Sequence, residues 1–256
     1  MSSAGFTIAV AVVMFAAGLL GLALQGRLPE HHTSGGSRDM IMAVAGLLTL
    51  LCALVTGLLI WTAYGVYSGQ NTQIQALASK VMQLDLALSD YGPEALPART
   101  QIRDALGKTI DQIWHARQND NNFAANNFAS ALENMRARDK MLAKLHPTTD
   151  EQKQALAAAN SLSDSIGQAR VQMSFALSSP VAYPVLLIVV GWVVCLFCGF
   201  GLTARATLTS VVTLAIGSIA VASAVLLILD LSDPYSGIVR ASHAPLEQAL
   251  AVMGKE

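Results

Sequence analysis

The stretch MIMAVAGLLTLLCALVTGLLIWTAYGVY, residues 40–67, decides the fold of this chain. It contains no charged side chain, and it exceeds the roughly 20 apolar residues that a helix needs to cross the hydrocarbon core of a bilayer. Trp61, Tyr64 and Tyr67 lie near its far end, and such aromatic side chains favour the lipid–water interface. Because the backbone inside lipid must hydrogen-bond to itself, the stretch predicts a membrane-spanning helix.

Three further stretches have the same character, so that apolar segments flank a polar middle in two pairs. They are residues 6–24, 182–202 and 208–229, and none contains a charged side chain. We therefore predict an all-α integral membrane protein with four transmembrane helices and an inserted helical bundle between spans two and three. Only 13% of the 256 residues are charged, about half the share of a soluble domain. The net charge of −1 argues against a nucleic-acid partner.

The polar middle predicts helices throughout, because apolar residues recur there at alternating spacings of three and four. The first stripe, which we expect to continue from the second span until Gly92 and Pro93 end it, comprises Ile74, Leu77, Val81, Leu84, Leu88 and Tyr91. The pattern indicates a second helix with Ile102, Leu106, Ile110, Ile113 and Trp114, and a third with Phe128, Leu132, Met135, Leu142 and Leu145. It also allows these two to be one long helix. Thr148 and Glu151 form a capping box that predicts the start of a fourth helix.

These patterns divide the chain into four segments. They are a transmembrane hairpin at residues 1–69, a soluble helical bundle or stalk at 70–179, a second transmembrane hairpin at 180–230, and a C-terminal turn with a short amphipathic helix at 231–256. An even number of spans places both termini and the bundle on one side. The short loops carry Arg27, Arg38 and Arg205, and this density of basic residues favours loops in the cytoplasm and an extracytoplasmic helical domain.

Enzyme signatures are missing from the sequence. It contains no G-x-S-x-G, no H-E-x-x-H and no glycine-rich phosphate loop followed by Lys and Ser or Thr. Cys195 and Cys198 form a C-x-x-C pattern inside an apolar span with no His or carboxylate nearby, which favours packing residues over a redox pair or metal site. We therefore expect no enzymatic activity, no metal and no cofactor.

Two groups of ionisable residues next to the spans are candidates for a pore mouth or a gate. Glu30, His31 and His32 would line an ion entrance or sense pH, the alternative being a solvated loop. In an oligomer, Asp230 and Asp233 would repeat around the axis as a charged ring, the alternative being a polar end of the helix with an Asp-Pro turn.

Small and weakly polar residues on the two inner spans are candidates for lining the pore or for packing helices. On the second span they are Thr49, Cys52 and Thr56, and on the fourth span they are Ser210, Thr213 and Gly217. Residues of this size either face a narrow pathway or let two helices approach closely.

Three segments, taken in order, resemble those of a bacterial family of unknown function that is labelled bestrophin-like. The first runs from Arg27 to His32 with Arg38 and Asp39 after it. The second is LDLALSDYGPE, residues 84–94, followed by Ala98 and Arg99, and the third is LDLSDPYSG, residues 229–237. The resemblance covers nearly the whole chain. Ser232 departs from the family pattern, which often has Asp followed by a basic residue, and this puts a salt bridge in the turn in doubt.

The resemblance implies kinship with bestrophins, which are oligomeric anion channels with four spans per subunit and helices between spans two and three. Bestrophins place those helices in the cytoplasm, opposite to the side that the basic loops favour. Their pore-neck aromatics and calcium-binding carboxylates have no counterpart that can be matched residue by residue. The channel assignment thus rests on an analogy of fold.

The sequence and the resemblance together predict a homo-oligomeric ion channel or channel-like protein of the bacterial inner membrane, conducting anions by analogy with bestrophins. Its expected partners are membrane lipids, copies of itself and small inorganic ions. The alternative is a non-enzymatic membrane scaffold or sensor whose helical domain binds a partner.

Overall fold

The computed structural model describes residues 3–27, 36–114, 123–178, 183–233, 235 and 239–253, and all regular structure in these ranges is helical. The α-helices are α1 (Ser3–Gln25), α2 (Gly36–Tyr91), α3 (Leu96–Trp114), α4 (Phe123–Leu142), α5 (Asp150–Ser178), α6 (Tyr183–Thr203), α7 (Leu208–Ser232) and α8 (Ala244–Val252). Four of them, α1, α2, α6 and α7, are long and apolar enough to cross a membrane. The prediction of an all-α fold with four membrane spans is confirmed.

The chain forms two compact units. One comprises Met1–Gly65 with Pro180–Ser232, and the other comprises Val66–Ser179 with Asp233–Glu256. We call them the membrane unit and the helical unit. The division falls inside α2, next to the aromatic residues that predict an interface, and Trp61 and Tyr64 are 71% and 51% exposed. The C-terminal segment belongs to the same unit as the soluble helices.

In the membrane unit, α1 packs against both α6 and α7. Two glycines let α1 and α6 approach until their backbones touch: a Cβ on Gly21 would collide with the carbonyl oxygen of Cys198, and one on Gly201 with that of Gly18. Lipid is as apolar as leucine, so helices inside a bilayer gain little from burying apolar surface and associate through close packing of small residues. Contact between backbones at Gly21 and Gly201 is that kind of packing.

The long second helix continues past the membrane span, as its apolar stripe predicts. Its six stripe residues, from Ile74 to Tyr91, are all at most 5% exposed. The helix ends at Gly92, whose φ of 115° lies in the left-handed region that favours glycine. The N–H of Gly92 donates to the carbonyl of Ser89 at 3.1 Å, and a 3₁₀ turn at Pro93–Ala95 leads directly into α3.

One apolar core holds the helical unit together. The α2 stripe contributes to it with Ile102, Leu106 and Ile110 of α3, Ala159, Ile166 and Met173 of α5, and Leu246 and Ala249 of α8. Leu250 and Met253 pack against the same core, next to Leu246 of α8. Residues 115–122 lie outside the described part of the chain, so whether α3 and α4 form one long helix stays a prediction.

The capping box of α5 lies one residue later than predicted. The carbonyl of Thr149 accepts the first helical bond, from the N–H of Lys153, so Thr149 is the N-cap. Its hydroxyl accepts from the N–H of Gln152 at 3.2 Å, and the Gln152 side chain accepts from the N–H of Thr148 at 2.8 Å. The assignment of Thr148 and Glu151 was wrong because two adjacent threonines each begin a Thr-x-x-Glu/Gln pattern.

The glycine contact between α1 and α6 predicts a position-dependent effect of adding one methyl group. Gly201→Ala should destabilise the protein by about 1–3 kcal/mol, because the new methyl meets backbone atoms that cannot move aside. Gly191→Ala on the same helix meets nothing within 4 Å and should be neutral or slightly stabilising. Thermal unfolding of both variants in detergent measures the difference, and equal midpoints would contradict this packing.

Candidate functional site

The structure describes the residues of one of the two candidate pore-mouth groups, whose role in a pore stays a prediction. Glu30, His31 and His32 lie outside the described residues, so their role stays a prediction. Asp230 is in the last turn of α7 and is only 5% exposed, whereas Asp233, just after the helix, is half-buried. Both carboxylates take part in polar or electrostatic interactions. A carboxylate near a helix C-terminus meets the negative end of the helix dipole, so a buried one there depends on its partners.

Hydroxyl groups among the predicted pore-lining residues donate hydrogen bonds to carbonyls nearby in the sequence. Thr49 donates to the carbonyl of Ala45 at 2.7 Å, and Thr213 donates to that of Thr209 at 2.9 Å. Such bonds to the preceding turn satisfy a hydroxyl in lipid without a second helix. Ser210 instead donates to the carbonyl of Arg205 at 2.7 Å, in the first turn of α7, and its placement is explained by that turn.

The predicted pore-lining set does not share one environment. Thr49 and Thr213 face outward from the single chain, Cys52 is 7% exposed, and Thr56 is half-buried. Gly217 faces the ring of Phe197, which lies 3.3 Å from where its Cβ would be. Within the single chain, α2 thus presents Thr49 outward while Cys52, on the same side of the helix, is covered.

The part of the chain that the structure describes contains no assembled site for metal binding or redox chemistry. It holds no group of three or more His, Cys, Asp or Glu side chains arranged to bind a metal. Cys195 and Cys198 are free thiols, the first exposed and the second partly buried. The ion pair and hydrogen bonds described next are in the helical unit.

A bidentate ion pair joins α2 to α3 across the turn at Gly92. Arg99 Nε donates to Asp85 Oδ1 at 2.8 Å, and Arg99 Nη2 donates to Oδ2 at 2.9 Å. Ser89 accepts a further bond from Nη1 at 3.4 Å. Paired N–H···O bonds between a guanidinium and a carboxylate are among the stronger polar contacts in proteins. The middle segment of the family resemblance therefore contains an ion pair that fixes the hairpin of α2 and α3.

The closing segment of the resemblance contributes an anchor for the C-terminus. The hydroxyl of Tyr235 donates to Gln70 Oε1 at 2.8 Å, and its ring meets that of Trp114 edge-on with 5.6 Å between centroids. Trp114 Nε1 donates to the carbonyl of Ala241 at 2.9 Å. Sequence reasoning missed these contacts because the partners lie 165 and 127 residues apart in the chain.

Two arginines on the inner faces of α4 and α5 were also missed. Arg170 is 7% exposed, and Arg138 is half-buried with its Nε donating to Ser163 Oγ at 3.3 Å. The sequence does indicate that both arginines face the core. Arg138 follows Met135 by three residues, and Arg170 follows Ile166 by four, so each occupies a position in the stripe that an apolar residue normally fills.

Burial lowers the pKa of both guanidinium groups. For Arg170 the pKa falls to about 10, mainly through loss of water and also through the nearby positive charge of Arg138. For Arg138 burial lowers the pKa as well, opposed by the charge of Asp139. A pKa of about 10 is still far above neutral pH, so Arg170 keeps its positive charge under physiological conditions.

The fold and these sites define a class: an all-helical, four-span membrane protein with a helical unit formed between spans two and three and from the C-terminal segment. The family model of the Bestrophin-like domain matches residues 12–246, and the chain belongs to that family. No curated protein and no solved structure matches it significantly.

The Asp85–Arg99 pair predicts a large loss of stability when one partner is removed. Asp85→Ala should destabilise the protein by about 2–4 kcal/mol, because it leaves a largely buried guanidinium without its counter-charge. Lys153→Met is the control: it breaks the exposed pair between Lys153 and Asp150 and should change stability by less than about 0.5 kcal/mol. Unfolding in detergent compares the two, and a loss no larger than in the control would contradict a stabilising role.

Proposed function

We propose that this protein forms a homo-oligomeric channel that conducts small anions across a bacterial inner membrane. The observation that carries the proposal is the exposure of α2 in the single chain. Only 11% of the most apolar segment of α2 is buried, against 28–33% in the other three spans. Membership of the Bestrophin-like family supports a channel-like protein.

One side of α2 has the composition of a helix contact rather than of a lipid surface alone. Gly46, Thr49, Ala53 and Gly57 recur at spacings of three and four, all four are exposed, and neither glycine has an atom within 4 Å of where its Cβ would be. We call this set the small-residue face of α2. Small residues let helices approach closely or border a narrow pathway, and copies of α2 arranged around an axis would account for either role.

The sign of the conducted ion's charge depends on the side chains in the spans and at their ends. Because the four apolar stretches lack charged side chains, ions would be selected at the ends, where Glu30, His31, His32, Asp230 and Asp233 remain the candidates. Rings of carboxylates favour cations, whereas the family name favours anions. The burial of Asp230 supports the anion alternative, since a covered and engaged carboxylate contributes less to the field of a pore mouth.

The remaining features of the proposal follow from the sequence. Lipids, copies of the chain and small inorganic ions are its partners, and it acts without enzymatic activity or a cofactor. The basic residues of the short loops, among them Arg38 and Arg205, support an extracytoplasmic helical unit.

Conductance of the purified protein tests the proposal. Reconstituted into planar bilayers, the full chain should give discrete current steps, and its reversal potential should follow the chloride gradient rather than the sodium gradient. Mass measurement in detergent should give a closed oligomer. An oligomer that conducts no ion across a range of pH would favour the scaffold or sensor, and a monomer without conductance would overturn the proposal outright.

Cysteine scanning tests which side of α2 borders the pathway. Cys52, Cys195 and Cys198 are first replaced by Ser or Ala. Thr49→Cys should then make the current sensitive to a charged, water-soluble thiol reagent, because its side chain would face water in the pathway. The matched position is Leu50→Cys, which is 71% exposed in the single chain but points to another side of the helix. Equal sensitivity at both positions, or none at Thr49→Cys, would show that the small-residue face lines no pathway.

A further inference from the structure

A small cavity in the core of the helical unit is bordered by two arginine side chains, buried Arg170 and half-buried Arg138. Its volume is about 40 Å³, and Arg138 and Arg170 line it together with the polar side chains of Thr109 and Asn134. The rest of its wall is apolar, with Leu84 and Ile166 among the lining residues. A site needs only about 10–15 Å³ to hold one water molecule, so this cavity has room for several waters or for one small ion.

The polar groups of this cavity are not fully satisfied by the protein. Nη2 of Arg138 is buried and has no hydrogen-bond partner among the described residues. A buried donor of a charged group that lacks an acceptor is costly, and native proteins rarely leave one without water or an ion. A second observation points the same way: among the described residues that line the cavity, none is acidic.

The two helices that carry these arginines meet closely at the cavity. Gly167 of α5 lies against α4: a Cβ at this position would be only 2.8 Å from the sulfur of Met135 and 3.7 Å from Nη2 of Arg138. The guanidinium of Arg138 is thus held at the contact between α4 and α5. Two positive groups that border one apolar space repel each other, and an anion between them would offset part of that repulsion.

We propose that this cavity binds one small monovalent anion, a halide or a carboxylate-sized oxyanion, which accepts hydrogen bonds from the guanidinium of Arg138 and neutralises the positive charge of the site. Planar guanidinium groups suit such ligands because they present several donors in a fixed arrangement. The bound anion links α4 to α5, so the stability of the helical unit rises with anion concentration. All of its lining residues belong to the helical unit, and its test does not depend on conduction.

Anion exchange at constant ionic strength tests the proposal on the full chain in uncharged detergent. Sodium gluconate, whose anion is too large for the cavity, is replaced by sodium chloride in one arm and by sodium acetate in the other. At about ten times the dissociation constant, the thermal midpoint should rise by about 3–5 °C. A rise in either arm supports the proposal and identifies the anion class. Equal midpoints in all three salts mean that water alone fills the cavity, and they overturn it.

Variants show whether the rise comes from the cavity. Arg138→Met should reduce it to less than about 1 °C, whereas Arg136→Met, which removes an exposed arginine from the same helix, should leave it intact. If Arg138→Met does not fold, Asn134→Leu gives the second comparison: it narrows the cavity, keeps both charges, and should at least halve the rise. A full rise in Arg138→Met, or in Asn134→Leu, or a lost rise in Arg136→Met, contradicts binding in the cavity.

Discussion

The absence of water inside the bilayer is the constraint on which the rest of the structure depends. A segment that crosses lipid must pair every backbone N–H and C=O internally, and a helix does so within one segment. The same constraint acts on side chains: Thr49 and Thr213 donate to carbonyls of their own helix, so that neither hydroxyl requires another partner. It also changes what holds helices together, because burying apolar surface gains little in lipid and close packing takes its place, as at Gly21 and Gly201.

The helical unit obeys the opposite rule, since water makes apolar burial its main source of stability. The six residues of the α2 stripe, from Ile74 to Tyr91, are buried and are covered by α3, α5 and α8. Polar contacts then select one arrangement of these helices: Asp85 with Arg99 fixes the first hairpin, and Tyr235 with Gln70 attaches the C-terminal segment to α2. Both pairs lie in or contact the segments that resemble the Bestrophin-like family, so part of that resemblance reflects folding rather than conduction.

Features that arise from local periodicity could be predicted from the sequence, and features that depend on distant partners could not. The α2 stripe, its end at Gly92 and the amphipathic α8 follow from spacing alone. The cap of α5 was misplaced by one residue because Thr148 and Thr149 satisfy the same pattern, and only the geometry distinguishes them. Hydrogen bonds such as that between Tyr235 and Gln70 join residues whose separation in the chain carries no signal. Arg138 and Arg170 did carry one, since a charge at a stripe position has to be paired, solvated or bound to a ligand.

The distribution of charge differs between the membrane unit and the helical unit. The four apolar stretches contain no Asp, Glu, Lys, Arg or His, so within them an ion meets helix dipoles and weakly polar side chains and loses its water without a compensating charge. Buried positive charge with a donor still unpaired occurs instead in the helical unit, at Arg138. Such an arrangement is stable only if the cost of desolvating the guanidinium is offset by water or by an anion. If an anion does so, its occupancy follows the concentration on the side that the helical unit faces, and the chain responds to that concentration at a site within the helical unit.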